Sequence, residues 1–157
     1  PTGDPIEITF TWDGSSLVSS AVPPGDQQQT ILPETYFPAI QADVQARGFT
    51  PTGAPIVETL PDGTYFIAQD SVCTGSATGY CANIFFYIND AFLASDTDEA
   101  NYGTLDLYGN GDGTITAEYP VYFAGDPNCC PSGDPAPVTF SYDGSSLVLS
   151  AVPPPLP

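Results

Sequence analysis

The 157-residue chain contains no histidine and no methionine, and its only basic side chain is Arg47. Without clustered lysine or arginine it has no electrostatic footprint for nucleic acid, and at a net charge of −18 an anionic membrane surface repels it. The 19 acidic residues are an ordinary number, so the imbalance comes from missing bases. The same lack leaves trypsin-like proteases almost nothing to cut, a useful property outside the cell. Absent His and Lys remove most triad, Schiff-base and acid–base chemistry. No carboxylate pair of glycosidase type is marked by a motif, and the serines of the two DGSS segments lack the G-x-S-x-G elbow. The chain is therefore expected not to be an enzyme and to need no cofactor. No hydrophobic run approaches the length of a membrane span, so no membrane insertion is expected.

Cysteine is scarce but even in number: Cys73, Cys81, Cys129 and Cys130. Zinc chemistry of the Cys/His type is excluded, and a four-thiolate site lacks paired C-x-x-C spacing. Disulfides are the expected state, which places the chain in an oxidising compartment: extracellular or at a cell surface. Adjacent Cys129 and Cys130 are expected to reach Cys73 and Cys81 separately, pinning the last hairpin to the loop between Gln69 and Asn83.

What the chain has in plenty is turn formers, Pro 18 and Gly 15, between segments rich in Val, Ile, Thr, Phe and Tyr. That is the composition of short strands broken by turns. Its most specific feature is a duplication. Pro1–Pro24 matches Pro131–Pro154 without a gap at a constant offset of 130, with 17 of 24 positions identical. Each copy reads as a β-hairpin around an Asp-Gly turn. In the first, Ile6, Ile8, Phe10 and Trp12 alternate onto one face, and Leu17 and Val18 open the return strand through Val22. In the second, Val138, Phe140 and Tyr142 stand where Ile8, Phe10 and Trp12 do. Residues 1–24 are expected to dock on a neighbouring unit, residues 25–35 to be a polar linker, and residues 36–157 to form a disulfide-bonded β-domain. Pro1 itself reads as a cut through something longer.

Pro38–Arg47 offers one short helix, with Pro38 in its first turn, Phe37, Ile40 and Val44 on one face, and Gly48 as its stop. Strands are predicted at Ile56–Leu60, Thr64–Gln69, Asn83–Ile88, Ala91–Ser95, Thr104–Tyr108 and Thr114–Phe123. Consecutive hairpins imply an all-β fold, mainly an antiparallel sandwich or barrel-like sheet, with that helix near residues 38–47. The run Ile84–Ile88, IFFYI, does not alternate and suits a central strand covered on both faces, by the helix on one side.

Two loops carry weak metal-ligand patterns. In Tyr108–Ile115, Asn110 and Asp112 echo the middle of a calcium loop, but the first ligand and the closing glutamate are missing, and a glycine-rich hairpin turn is the better reading. Ser95–Asn101 gathers Asp96, Asp98 and Glu99, an arrangement more often a solvated loop than a cation site.

The segments TGSATGYCANIFFYINDAFLASDT and TITAEYPVYFAGDPNCCPSGDPAPVTFSYDGSSLV give the chain a family likeness. The G-Y-C before an aromatic strand, the N-D turn, D-P-x-C-C-P and the final strand with its D-G-S turn resemble the LppP/LprE family of bacterial envelope lipoproteins. The likeness runs over roughly Cys73 to Val148 and implies an all-β, disulfide-bonded extracytoplasmic domain with no established enzymatic activity. Where that family has a lipidated N-terminal cysteine, this sequence carries a copy of its own last hairpin.

Two functions are consistent with these residues. The first is an extracellular structural protein, a subunit or repeat of a fibre or surface array whose partners are copies of itself, joined through terminal strands. The second is a monomeric envelope or secreted binding module that uses the aromatics Tyr87, Phe92, Tyr102 and Tyr122.

Overall fold

The computed structural model describes residues 10–12, 17–19, 36–76, 81–101, 103–127 and 129–155. Its elements in chain order are β1 (Phe10–Trp12), β2 (Leu17–Ser19), α1 (Tyr36–Ala46), β3 (Phe49–Pro51), β4 (Ile56–Thr59), β5 (Tyr65–Cys73) and β6 (Ala82–Ile88), followed by β7 (Ala91–Ser95), β8 (Asp106–Gly109), β9 (Ile115–Tyr119), β10 (Ala136–Tyr142) and β11 (Leu147–Leu149).

Two antiparallel sheets pack face to face, and neither closes into a barrel. One runs β3-β5-β6-β7 with β4 beside the first half of β5, and the other is the meander β11-β10-β9-β8. Period-2 alternation explains the packing. Phe66 and Ala68 of β5 and Ile84 and Phe86 of β6 point inward from the first sheet, meeting Ile115, Ala117, Tyr119, Val138 and Phe140 of the second in one core. The Phe86 and Phe140 rings, one from each sheet, lie 4.6 Å apart.

The alternate residues of β5 and β6 face outward and are covered by α1. Ile67, Phe85 and Tyr87 pack there with Ile40 and Val44 of the helix and Phe49 of β3. This is why IFFYI has no polar face: both of its sides are interior. Gly48 ends the helix at φ +88°, a conformation that favours glycine over residues with a Cβ.

The helix starts two residues earlier than Pro38, because Tyr36 and Phe37 pack on the outward cluster and draw the first turn back. β3 follows Gly48 directly and carries no periodic signal in its three residues. In the described part of the first copy, β1 and β2 pair Phe10↔Ser19, Thr11↔Val18 and Trp12↔Leu17. β10 and β11 pair Phe140↔Leu149, Ser141↔Val148 and Tyr142↔Leu147, the same register displaced by 130 residues. The linker 25–35, and Ile6 and Ile8 of the first copy, lie outside the described residues.

The disulfides correct the sequence expectation. Cys73 bonds Cys81 and Cys129 bonds Cys130. The reason is local: Cys73 ends β5 and Cys81 immediately precedes β6, so the hairpin register holds their Cα atoms 5.3 Å apart, with the Cys73 amide donating to the Cys81 carbonyl at 2.6 Å. Strand pairing brings the two partners together before any distant cysteine is needed.

Candidate functional site

The two flanks of the sandwich differ. On the β4–β8 side Glu58, buried in β4, reaches across to the turn between β8 and β9. Its carboxylate accepts the Gly111 amide at 2.8 Å and the Gly113 amide at 3.0 Å. Both glycines have positive φ, which turns those amides toward the carboxylate. The Asn110 side-chain amide donates to the Thr114 and Thr116 hydroxyls, and Asp112 accepts from the Thr114 amide and hydroxyl. The turn that echoes a calcium loop thus presents N–H groups to an anion from its own chain.

The opposite flank, between β7 and β11, is open. A cleft of about 680 Å³ runs there, lined on one side by Ser95–Asp98 and on the other by Leu149–Pro153. Asp96 in its wall is 6% exposed and fully engaged: it accepts from the Ile84 amide at 2.9 Å, the Asn101 side-chain amide at 2.8 Å and the Tyr119 hydroxyl at 2.7 Å. The Tyr119 bond ties the second sheet to the first. Asp70 lies across Ile84 from Asp96 on the same sheet face. One of its oxygens accepts from the Thr52 hydroxyl at 2.9 Å, and the other is buried without a partner.

Burial raises the proton affinity of both carboxyls above the ordinary carboxylate range, more than their hydrogen bonds lower it. Tyr119 is likewise held in its neutral, donating form by burial and by the Asp96 charge. On the outward face of the first sheet, the Gln69 and Asn83 side-chain oxygens are also buried without a partner. Of these groups it is the Asp96–Tyr119 bond that braces the two sheets beside the cleft.

The sole cation occupies a third position, on the helix side. The Arg47 guanidinium donates to Asp43 at 2.7 Å and stacks 3.5 Å from the centre of the Phe92 ring. Asp43 also accepts from the Tyr87 hydroxyl at 2.9 Å. The Arg47 hydrogen bond, helped by Tyr87, holds the Asp43 carboxyl below its usual range, while burial and Asp43 keep Tyr87 neutral.

The sequence-derived candidates separate accordingly. Of Asp96, Asp98 and Glu99, the first turns into the protein and the other two are exposed. Among the described residues no group of three acids or cysteines is placed to hold a metal ion. The four aromatics do not form one surface: Tyr87 is fully buried, Phe92 is partly covered by Arg47, and Tyr102 lies outside the described residues. Tyr122 is half-buried on the far side of β9 in the chain. For Phe10, Trp12, Leu17 and Val18 the backbone pairing is described and the side chains are not. Sequence reasoning missed Glu58, Asp70, Asn101 and Tyr119. Asp70 alone left a trace, as an acid inside the otherwise strand-like run of Tyr65–Cys73.

Residues 65–145, just over half of the chain, match the family described as LppP/LprE lipoprotein. No curated protein and no solved structure matches the chain.

Proposed function

The chain belongs to the LppP/LprE lipoprotein family, and from that membership we propose that it works outside the cytoplasm as a non-catalytic binding module of the cell envelope or surface. The observation that carries this reading is the extent of the match. It begins at the first residue of β5 and ends in the turn after β10. It therefore takes in the strands that build the shared core, together with Cys73–Cys81, and leaves out α1 and the N-terminal hairpin. The disulfides support an oxidising location, and the open β7–β11 flank supplies the concave face where a partner would sit. Fractionation of cells that make the protein, with alkylation before any reduction, tests this. Recovery in the envelope or extracellular fraction with Cys73 and Cys81 unreactive is expected, and a cytosolic chain with free thiols counts against it.

The duplicated hairpin favours a second reading: a structural unit of an extracellular fibre or surface array joined through terminal strands. Electron microscopy of purified material is then expected to show strings or filaments that vanish when residues 1–24 are deleted. A monodisperse particle under all conditions would exclude it.

A further inference from the structure

The two disulfides sit in different surroundings. Cys73–Cys81 is half-buried at the end of the first sheet, where Cys73 pairs with Phe49 of β3 and its amide donates to the Cys81 carbonyl. Cys129 and Cys130 are both exposed, in the loop between β9 and β10. Their bond joins neighbours in the chain, so it closes no loop and the entropic reason for a structural disulfide does not apply to it. Exchange with a thiol requires access to a sulfur, and here both sulfurs belong to exposed residues.

The loop keeps its shape by other means. Asp126 accepts from the Phe123 amide at 2.8 Å on one side of the pair, and from the Ser132 amide at 3.0 Å and hydroxyl at 2.8 Å on the other. The Cys130 amide donates to the Pro127 carbonyl at 2.9 Å, and the Gly133 amide to the Val121 carbonyl at 3.0 Å. None of these bonds passes through sulfur. Opening the disulfide therefore leaves two thiols side by side in a loop still pinned at both ends, placed to close again.

Charge decides what can approach. The chain carries −18, and its one basic side chain, Arg47, is engaged by Asp43 and Phe92. Asp126 stands within the loop and Asp134, exposed, follows it. A thiolate that brings a second negative group is repelled, whereas one that carries an ammonium is not.

We propose that Cys129–Cys130 is a thiol–disulfide exchange site, a reversible two-electron acceptor for thiol reductants that bear no negative group besides the reacting sulfur. The reductant's thiolate bonds to one cysteine sulfur while the Cys129–Cys130 bond breaks, and its electron pair leaves on the other sulfur, which takes a proton from water. A second thiolate of the reductant then attacks the reductant's sulfur in the mixed disulfide and releases the remaining cysteine, which is protonated in turn. Two thiols of the reductant become one disulfide, and the pair becomes two thiols. This stands apart from the binding reading and needs no ligand in the cleft.

The test treats the folded protein with cysteamine, a cationic aminothiol, or with mercaptopropionate, an anionic one. Free thiols are alkylated and located by mass spectrometry, and each rate is divided by that thiol's rate with a small neutral disulfide. Cys129 and Cys130 are expected to open while Cys73–Cys81 stays closed, several-fold faster with cysteamine, with the gap narrowing as salt is added. Circular dichroism is expected to stay unchanged, and cystamine to close the pair again. Free thiols at Cys129 and Cys130 before any reductant, a pair that opens only in denaturant, or Cys73–Cys81 opening equally fast would overturn the exchange site. Equal normalised rates for the two thiols at low salt would overturn the charge preference.

Discussion

Gly109 is glycine because the carboxylate of Glu58 fills the place where its Cβ would be. The contact is close approach rather than backbone conformation, and it exists because Glu58 leans over the end of β8 to hold the turn beyond it. Glu58→Ala removes the acceptor of two amides, one of them buried, and is expected to destabilise the domain by about 2–3 kcal/mol in urea unfolding. Gly109→Ala must displace the same carboxylate and is expected to cost more than 1 kcal/mol, as overpacking does. A Gly109→Ala variant as stable as the parent would show that the clamp carries no load.

Tyr119→Phe keeps the ring in the core and removes one donor from Asp96. A loss of about 1–2 kcal/mol is expected, with the strands unchanged by circular dichroism. Asn101 and Tyr119 share one Asp96 oxygen and the Ile84 amide takes the other, so Asp96→Asn leaves three donors with a single acceptor and is expected to lose at least as much.

The pH dependence follows from two opposed groups of carboxyls. Asp70 and Asp96 have folded pKa values raised mainly by burial, so their contribution is complete below the unfolded value near 3.9 and is lost as pH climbs through the folded one. Asp43, Asp126 and Asp143 run the other way. Arg47 lowers the first, the Phe123 amide and Ser132 the second, and the Ser146 and Ser145 amides bring the third to about 2. Their contribution is present above the unfolded value and is lost as pH falls. Stability is therefore expected to fall on both sides of the unfolded carboxylate range, as pH drops below it and as pH climbs through the raised folded values of Asp70 and Asp96. Unfolding midpoints from pH 2 to 8 check this, and Asp70→Asn is expected to flatten the decline. A midpoint that keeps rising to pH 7 contradicts the assignment.

Cys73 and Cys81 are 8 residues apart, for which loop-closure entropy gives about 2–3 kcal/mol. Replacing both by serine is expected to cost that much in denaturant midpoint. The Cys129–Cys130 bond joins neighbours and encloses no chain to speak of, so the same change there is expected to cost little.

Arg47 is the single tryptic site. Because its side chain is held by Asp43 and Phe92, cleavage after it requires the end of α1 to open, and the rate of appearance of two fragments measures that opening. Arg47→Ala, assayed by thermal melting, is expected to cost about 1 kcal/mol through lost stacking and pairing.

Much of this architecture is legible in the chain because apolar periodicity and turn chemistry are local. Ala91–Ser95 is a strand with the bounds its sequence suggests, and IFFYI is interior on both sides as its lack of alternation implies. Asp62-Gly63, Asn89-Asp90 and Asp143-Gly144 each turn the chain between strands. What could not be read is what depends on distance across the fold. Glu58 sits in β4 like any outward-facing glutamate, and only the packing of the second sheet makes it a buried anion. Asp70 and Asp96 stand on either side of Ile84 through a register that no spacing reveals. The cysteines mislead for the same reason, since no spacing shows that β5–β6 pairing sets Cys73 beside Cys81.

The order of the strands along the chain bears on how the sandwich comes to be folded. β10 brings Val138 and Phe140 to the core and completes the pairing of β9, yet it follows β5, β6 and β9 in the chain. During synthesis those earlier strands leave the ribosome with their inward faces still uncovered, and the core closes only when β10 arrives.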